Sequence, residues 1–183
     1  MHREPRLFAI GHSTRSLAEF LEVLGLHGVA TLADIRTVPR SLKNPQFNRE
    51  SLPGALGRAG IGYAHLPRLG GLRHLKRGDH PASAAWRNAS FRAFAQYMQT
   101  PEFEEGLREL LALPGPVAFM CAEALPWRCH RSLVADALVA RGYEVEQIVG
   151  RRALAHRMTP FAKIVRKRVL YPAAEAPPQG AGS

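Results

Sequence analysis

PVAFMCAEALPWRCHRSLVADAL, residues 116–138, joins a near-continuous apolar run to an amphipathic one across a turn that holds both cysteines of the chain. PVAFMC has the length and texture of a strand covered on both faces. Leu133, Val134, Ala137 and Leu138 then recur at helical spacing, with Gly142 as the stop. A buried strand that hands over to a helix is the repeating unit of a parallel sheet.

The flanking sequence repeats that unit. LFAIG reads as a first strand, and Ser16 with Glu19 forms a capping box ahead of Leu17, Phe20, Leu21 and Leu24, a helix that Gly28 ends. VATLADI is a second strand. Ser51 with Pro53 opens a short helix closed by Gly60, and IGYAHL is a third strand. Helical stretches follow around Phe91 to Met98 and from Thr100 and Pro101 to Leu111; PVAFMC is the fourth strand and YEVEQIV the fifth. The expectation is a three-layer α/β sandwich: a mainly parallel central sheet of about five strands, helices on both faces, one domain over 1–171. Pro and Gly punctuation at 67–82 marks a long loop, which in a compact domain usually serves function or moves.

Length and composition agree with one domain. The chain has 183 residues, and 46% apolar against 22% charged residues is the usage of a globular protein that can bury a core without staples. No run of eighteen apolar residues is present and the start does not read as a signal peptide, so the expectation is a cytoplasmic protein with no membrane partner. Two close cysteines in a reducing compartment are expected as thiols. The net charge of +10 is uneven: residues 151–171 hold seven basic residues and no acid. Such a segment attracts phosphates or acidic partners, and it equally suits a solvated surface. PAAEAPPQGAGS, 172–183, has the composition of a disordered tail.

In open parallel sheets ligands sit outside the carboxyl ends of the strands. Four segments should deliver polar groups there: Gly11, His12 and Ser13 after the first strand; Asp34, Arg36 and Arg40 after the second; His65 after the third; Cys121, Glu123, Cys129, His130 and Arg131 after the fourth. Duller roles exist for each, including turn formation at Gly11 and Ser13 and a structural Asp34–Arg36 pair. A helix starting near Cys129 or His130 turns free amides and its positive dipole end toward the preceding turn. That would push Cys129 toward thiolate, hold Glu123 as carboxylate or seat a phosphate beside Arg131 and Arg128, with His130 neutral.

Three chemistries compete for these atoms. A phosphotyrosine-phosphatase-like loop needs an arginine after five intervening residues, where Trp127 stands and Arg128 comes one late. A metal site would draw on Cys121, Glu123, Cys129 and His130, but the adjacent Cys129 and His130 are awkward ligands for one ion, and no CxxC pair exists. The third is an anion pocket with Glu123 or Cys129 as acid, base or nucleophile. Against them stands plain packing, with buried cysteines and a Glu123–Arg131 pair.

The run from Cys121 through Glu123 and Pro126 to Cys129, His130 and Arg131 carries a resemblance. With it go Ile10 to Ser13, Asp34 to Arg36, Pro39, Ser41, Phe47, Asn48, Tyr63, His65, Leu66 and Leu69 to Gly71. Together they resemble the domain of unknown function 488 family over roughly residues 7–150. The resemblance implies an α/β domain and carries over no reaction.

Two functions follow as expectations. One is an enzyme for a phosphorylated or nucleic-acid-related substrate: Glu123, Cys129, His12 and Asp34 catalytic, and Gly11, Ser13, Arg36, Arg40, His65, Cys121, His130 and Arg131 binding. No metal or cofactor is expected. The other is a nucleic-acid-binding module that grips through 151–171, with weak sequence preference.

Overall fold

The fourth strand predicted from the sequence is the centre of the sheet. The computed structural model describes residues 5–174; the expected disordered tail lies outside them from position 175 onward. Chain order is β1 (Leu7–Gly11), α1 (Leu17–Leu26), β2 (Thr31–Asp34), α2 (Leu52–Arg58), β3 (Gly62–His65), α3 (Ala89–Tyr97), α4 (Pro101–Leu111), β4 (Val117–Cys121), α5 (Arg131–Val139) and β5 (Val145–Val149). It continues with β6 (Arg152–Ala155), β7 (Lys163–Val165) and β8 (Arg168–Leu170). The six-stranded sheet runs β3-β2-β4-β1-β5-β6, parallel except for the β5–β6 pair.

Period-two alternation feeds two cores. Leu7, Ala9, Val117 and Phe119 face α3, α4 and α5, where Phe94, Phe103, Leu107 and Leu133 lie. Phe8, Ile10, Ala118 and Met120 face α1 and α2, against Phe20, Leu24, Leu52 and Leu56. Phe119 is fully buried on the central strand; truncating it to alanine removes contacts on every side and costs about 3–5 kcal/mol. The capping box forms as predicted, Ser16 accepting from the Glu19 amide and Glu19 from the Ser16 amide. Gly28 ends α1 with φ +65°, a conformation in which a side chain strains the backbone.

The 151–171 segment is built into the domain. β6 pairs antiparallel with β5 as a sixth strand at the sheet edge, and β7 with β8 forms a separate hairpin. Val169 and Tyr171 return to the core.

Helices α1 and α2, which follow β1 and β2, cover one face, while α5, which follows β4, covers the other. The connections leaving β4 and its neighbours β1 and β2 therefore diverge at their carboxyl ends and open a crevice there. Register puts Gly11 beside Cys121 and Asp34 beside both His65 and Met120, so the predicted segments do meet at one rim.

Candidate functional site

Arg131, the first residue of α5, turns its guanidinium back under the end of β4 and is fully buried. Its Nη1 donates to the Cys121 Sγ at 2.9 Å and to the Glu123 carbonyl, its Nη2 to the Ala124 carbonyl at 2.9 Å, and its Nε to Gln147 Oε1 at 3.4 Å. None of the ion pairs among the described residues involves it. A buried cation without a carboxylate calls for another anion, and the one ionisable group in contact is the Cys121 thiol. The Glu123–Arg131 ion pair of the packing alternative does not form: Arg131 reaches only the Glu123 backbone carbonyl, and the Glu123 carboxylate accepts from the Ala124 amide at 3.1 Å. Gly11 permits this turn, since a Cβ there would overlap the Glu123 carbonyl and lie 2.6 Å from Arg131 Nη1.

Cys129 Sγ donates to Cys121 Sγ at 2.8 Å; both are free thiols. Burial alone would raise the Cys121 thiol, but the Cys129 hydrogen bond and the Arg131 charge bring it down to about 7. Cys129 moves the other way, raised first by its bond to Cys121, then by burial and the Cys121 charge. The expectation that the helix start makes Cys129 the thiolate is thereby corrected: Arg131 reaches past it to Cys121. His130 is lowered to about 4, mainly by burial, and stays neutral as expected. Its Nε2 donates to the Ile35 carbonyl at 3.2 Å, leaving Nδ1 toward Cys129 Sγ at 3.5 Å. Gly71 makes room for that ring, because a Cβ would stand 2.5 Å from Nδ1.

A second buried cation sits beside the thiols. Arg36 forms a two-pronged pair with Asp34, Nε to Oδ1 at 2.9 Å and Nη2 to Oδ2 at 2.7 Å, and Nη2 also reaches the Phe47 carbonyl at 2.7 Å. Tyr63 donates to Asp34 Oδ2 at 2.7 Å. Asp34 is wholly buried and its oxygens are spent on this scaffold. His12 stacks on Phe47 with ring centres 4.3 Å apart, donates through Nδ1 to the Ser13 carbonyl at 2.8 Å, and presents Nε2 to Arg36 Nη1 at 3.4 Å. Burial, with the nearby Arg36 charge, lowers its pKa and keeps it neutral. His65 donates to the Arg36 carbonyl at 2.8 Å. The sequence thus identifies a real cluster, but His12, Asp34 and His65 stand around Arg36.

The cavity at this rim measures about 350 Å³, within the small-molecule range. Cys121, Glu123, Arg128, Cys129 and His130 line it from the β4–α5 turn, Arg36, Thr37, Val38 and Arg40 from the loop after β2, and Gly71, Leu72, Ser90 and Phe91 from the far side. Gly11, Ser13 and Arg131 support its floor and do not line it. Arg40 and Arg128 are exposed at the mouth beside the exposed apolar side chains of Val38 and Leu72. Among the described residues no group of three His, Cys, Asp or Glu side chains could hold a metal ion, and no helix is long and apolar enough to cross a membrane.

Sequence reasoning missed the support behind Arg131. Gln147 Nε2 lies 3.1 Å from His156 Nδ1, His156 Nε2 donates to Asp136 Oδ1 at 2.8 Å, and Tyr171 donates to Asp136 Oδ2 at 2.8 Å. This ties the basic segment to the site. The one local hint was Asp136, an acid on the inward face of an apolar helix.

A family model described as domain of unknown function DUF488 matches residues 16–138, more than half of the chain. It spans the cavity-lining residues and leaves Gly11, His12 and Ser13 just outside. No curated protein and no solved structure matches.

Proposed function

This chain belongs to the DUF488 family, and from its site we propose an enzyme that uses the Cys121 thiolate on a small anionic substrate, phosphorylated or nucleotide-like. One observation carries the proposal: the fully buried Arg131 contacts the Cys121 sulfur at 2.9 Å and has no carboxylate partner among the described residues. A thiolate held by a fixed cation is the nucleophilic form of cysteine. Arg36, Arg40 and Arg128 bind the anion, Val38 and Leu72 its apolar part, and Glu123 exchanges protons at the cavity wall. His12, Asp34 and His65 hold Arg36 in place. A volume of about 350 Å³ supports a nucleotide-sized molecule over a duplex.

Alkylation of the wild type by iodoacetate and by neutral iodoacetamide tests this. Iodoacetate should be favoured relative to its reactivity with a free thiol, Cys121 should carry the label, and inorganic phosphate should slow it. Arg40→Ala with Arg128→Ala should erase the preference. A wild type indifferent to phosphate, with the reactivity ratio of a free thiol, contradicts the proposal.

A second reading has its own observation. The β7–β8 turn exposes Arg166, Lys167 and Arg168, and the first two adopt φ +51° and +65°, where non-glycine residues are strained. A cationic tip of this kind fits a nucleic-acid backbone. Because Val169 and Tyr171 are core residues, charge reversal at Arg166 and Lys167 is a cleaner test than truncation. Duplex-DNA affinity that falls, with a salt slope flatter by about 1–2, supports it; unchanged affinity removes it.

A further inference from the structure

We infer that Cys129 is the resolving thiol of a two-cysteine reaction at Cys121, so that the substrate class is a small anionic disulfide. The inference rests on Cys121 being the nucleophile of the cavity. Its geometric basis is that Cys129 Sγ touches Cys121 Sγ at 2.8 Å and that both thiols line the same cavity. When Cys121 carries a phosphoryl or acyl group, a second thiol in contact could only take that group over, which gives the same kind of intermediate on the other sulfur. It releases the substrate when the Cys121 sulfur has itself become electrophilic, as in a mixed disulfide.

The first step forms a bond from the Cys121 thiolate to one sulfur of the substrate and breaks the substrate S–S bond, releasing one thiolate. In the second step Cys129 attacks the Cys121 sulfur. A Cys121–Cys129 disulfide forms, the mixed disulfide breaks, and the Cys129 proton leaves on the second thiolate. The substrate gains two electrons and the cysteine pair loses two.

Charge orders the steps. In the resting dithiol the Cys129 proton is held by the Cys121 thiolate, whose hydrogen bond and charge both oppose ionisation of Cys129. Capping Cys121 removes both effects and leaves Arg131, which favours a thiolate at Cys129. The resolving thiol is therefore quiet until Cys121 has reacted. Arg40 and Arg128 at the mouth select substituents carrying carboxylate or phosphate.

The test uses the full reduced chain and dithiobis(nitrobenzoate), a dianionic aryl disulfide. The wild type should release two thionitrobenzoate anions per chain, retain none, and lose the mass of two hydrogens, with a Cys121–Cys129 bridge in the peptide map. Cys129→Ser and Cys129→Ala should each release one and retain one on Cys121. A wild type that keeps thionitrobenzoate on either cysteine, or does not react, overturns the inference. Retention on Cys121 in both wild type and Cys129→Ser would overturn the resolving role and leave Cys121 as nucleophile; a label confined to Cys129 would overturn both.

Discussion

Arg131 Nη1 and Cys121 Sγ stand 2.9 Å apart in a place where both side chains are buried. The first residue of α5 thereby becomes the counter-ion of the last residue of β4. A guanidinium at that distance favours the ionised form of the thiol, and with the Cys129 hydrogen bond it outweighs the effect of burial.

Arg131→Met tests the charge at nearly constant volume. Cys121 would keep its burial and lose its cation, so its thiol should rise above the ordinary range, and alkylation at neutral pH should slow at least about tenfold. Freeing the Glu123 and Ala124 carbonyls should also cost about 2–4 kcal/mol, read as a lower urea midpoint.

Two glycines provide a contrast. Gly11→Ala drives a Cβ into the Glu123 carbonyl, so the turn must shift; a loss of about 2–3 kcal/mol and slower Cys121 alkylation are expected. Gly25→Ala in α1 meets nothing within 4 Å, and it should stabilise by about 0.5–1 kcal/mol with alkylation unchanged.

Asp34→Asn should remove the charge that neutralises buried Arg36. The Arg36–Asp34 pair is 7% and 0% exposed at its side chains, so breaking it should cost about 3–5 kcal/mol. Tyr63→Phe removes one of several donors to Asp34 and should cost about 1 kcal/mol. Chemical denaturation of the two variants gives the ratio.

On the acid side, part of the pH dependence of stability follows His130. Its pKa falls from 6.5 to about 4 on folding, so below 6.5 the unfolded chain takes up a proton that the folded chain refuses. Stability present above pH 6.5 should be lost as pH falls toward 4, by about 3 kcal/mol from this group, and His12 acts in the same direction. His130→Asn should flatten that part of the profile measured by urea midpoints.

Strands covered on both faces announced themselves. LFAIG matches β1 residue for residue, and PVAFMC differs from β4 only by Pro116, because burial on two sides leaves an unbroken apolar run. β6, β7 and β8 gave no such signal: most of their residues are exposed, and an arginine-rich edge reads like any solvated surface. The rim was legible because a parallel sheet gathers its strand ends. The division of labour within it was not, since Cys121 and Cys129 are set by each other and by Arg131 across elements, and Asp34 is engaged by Arg36 and Tyr63. A helix-dipole argument pointed to Cys129, whereas the Arg131 guanidinium, longer in reach, selects Cys121.

The central claim is that Arg131 draws the Cys121 thiol down into the neutral range, and the direct measurement is thiolate absorbance against pH for the wild type and Arg131→Met. The wild type should show one thiol ionising near 7, and Arg131→Met should lack that transition. A wild type in which no thiol ionises below about 8.5, or a low transition that survives in Arg131→Met, would contradict the account.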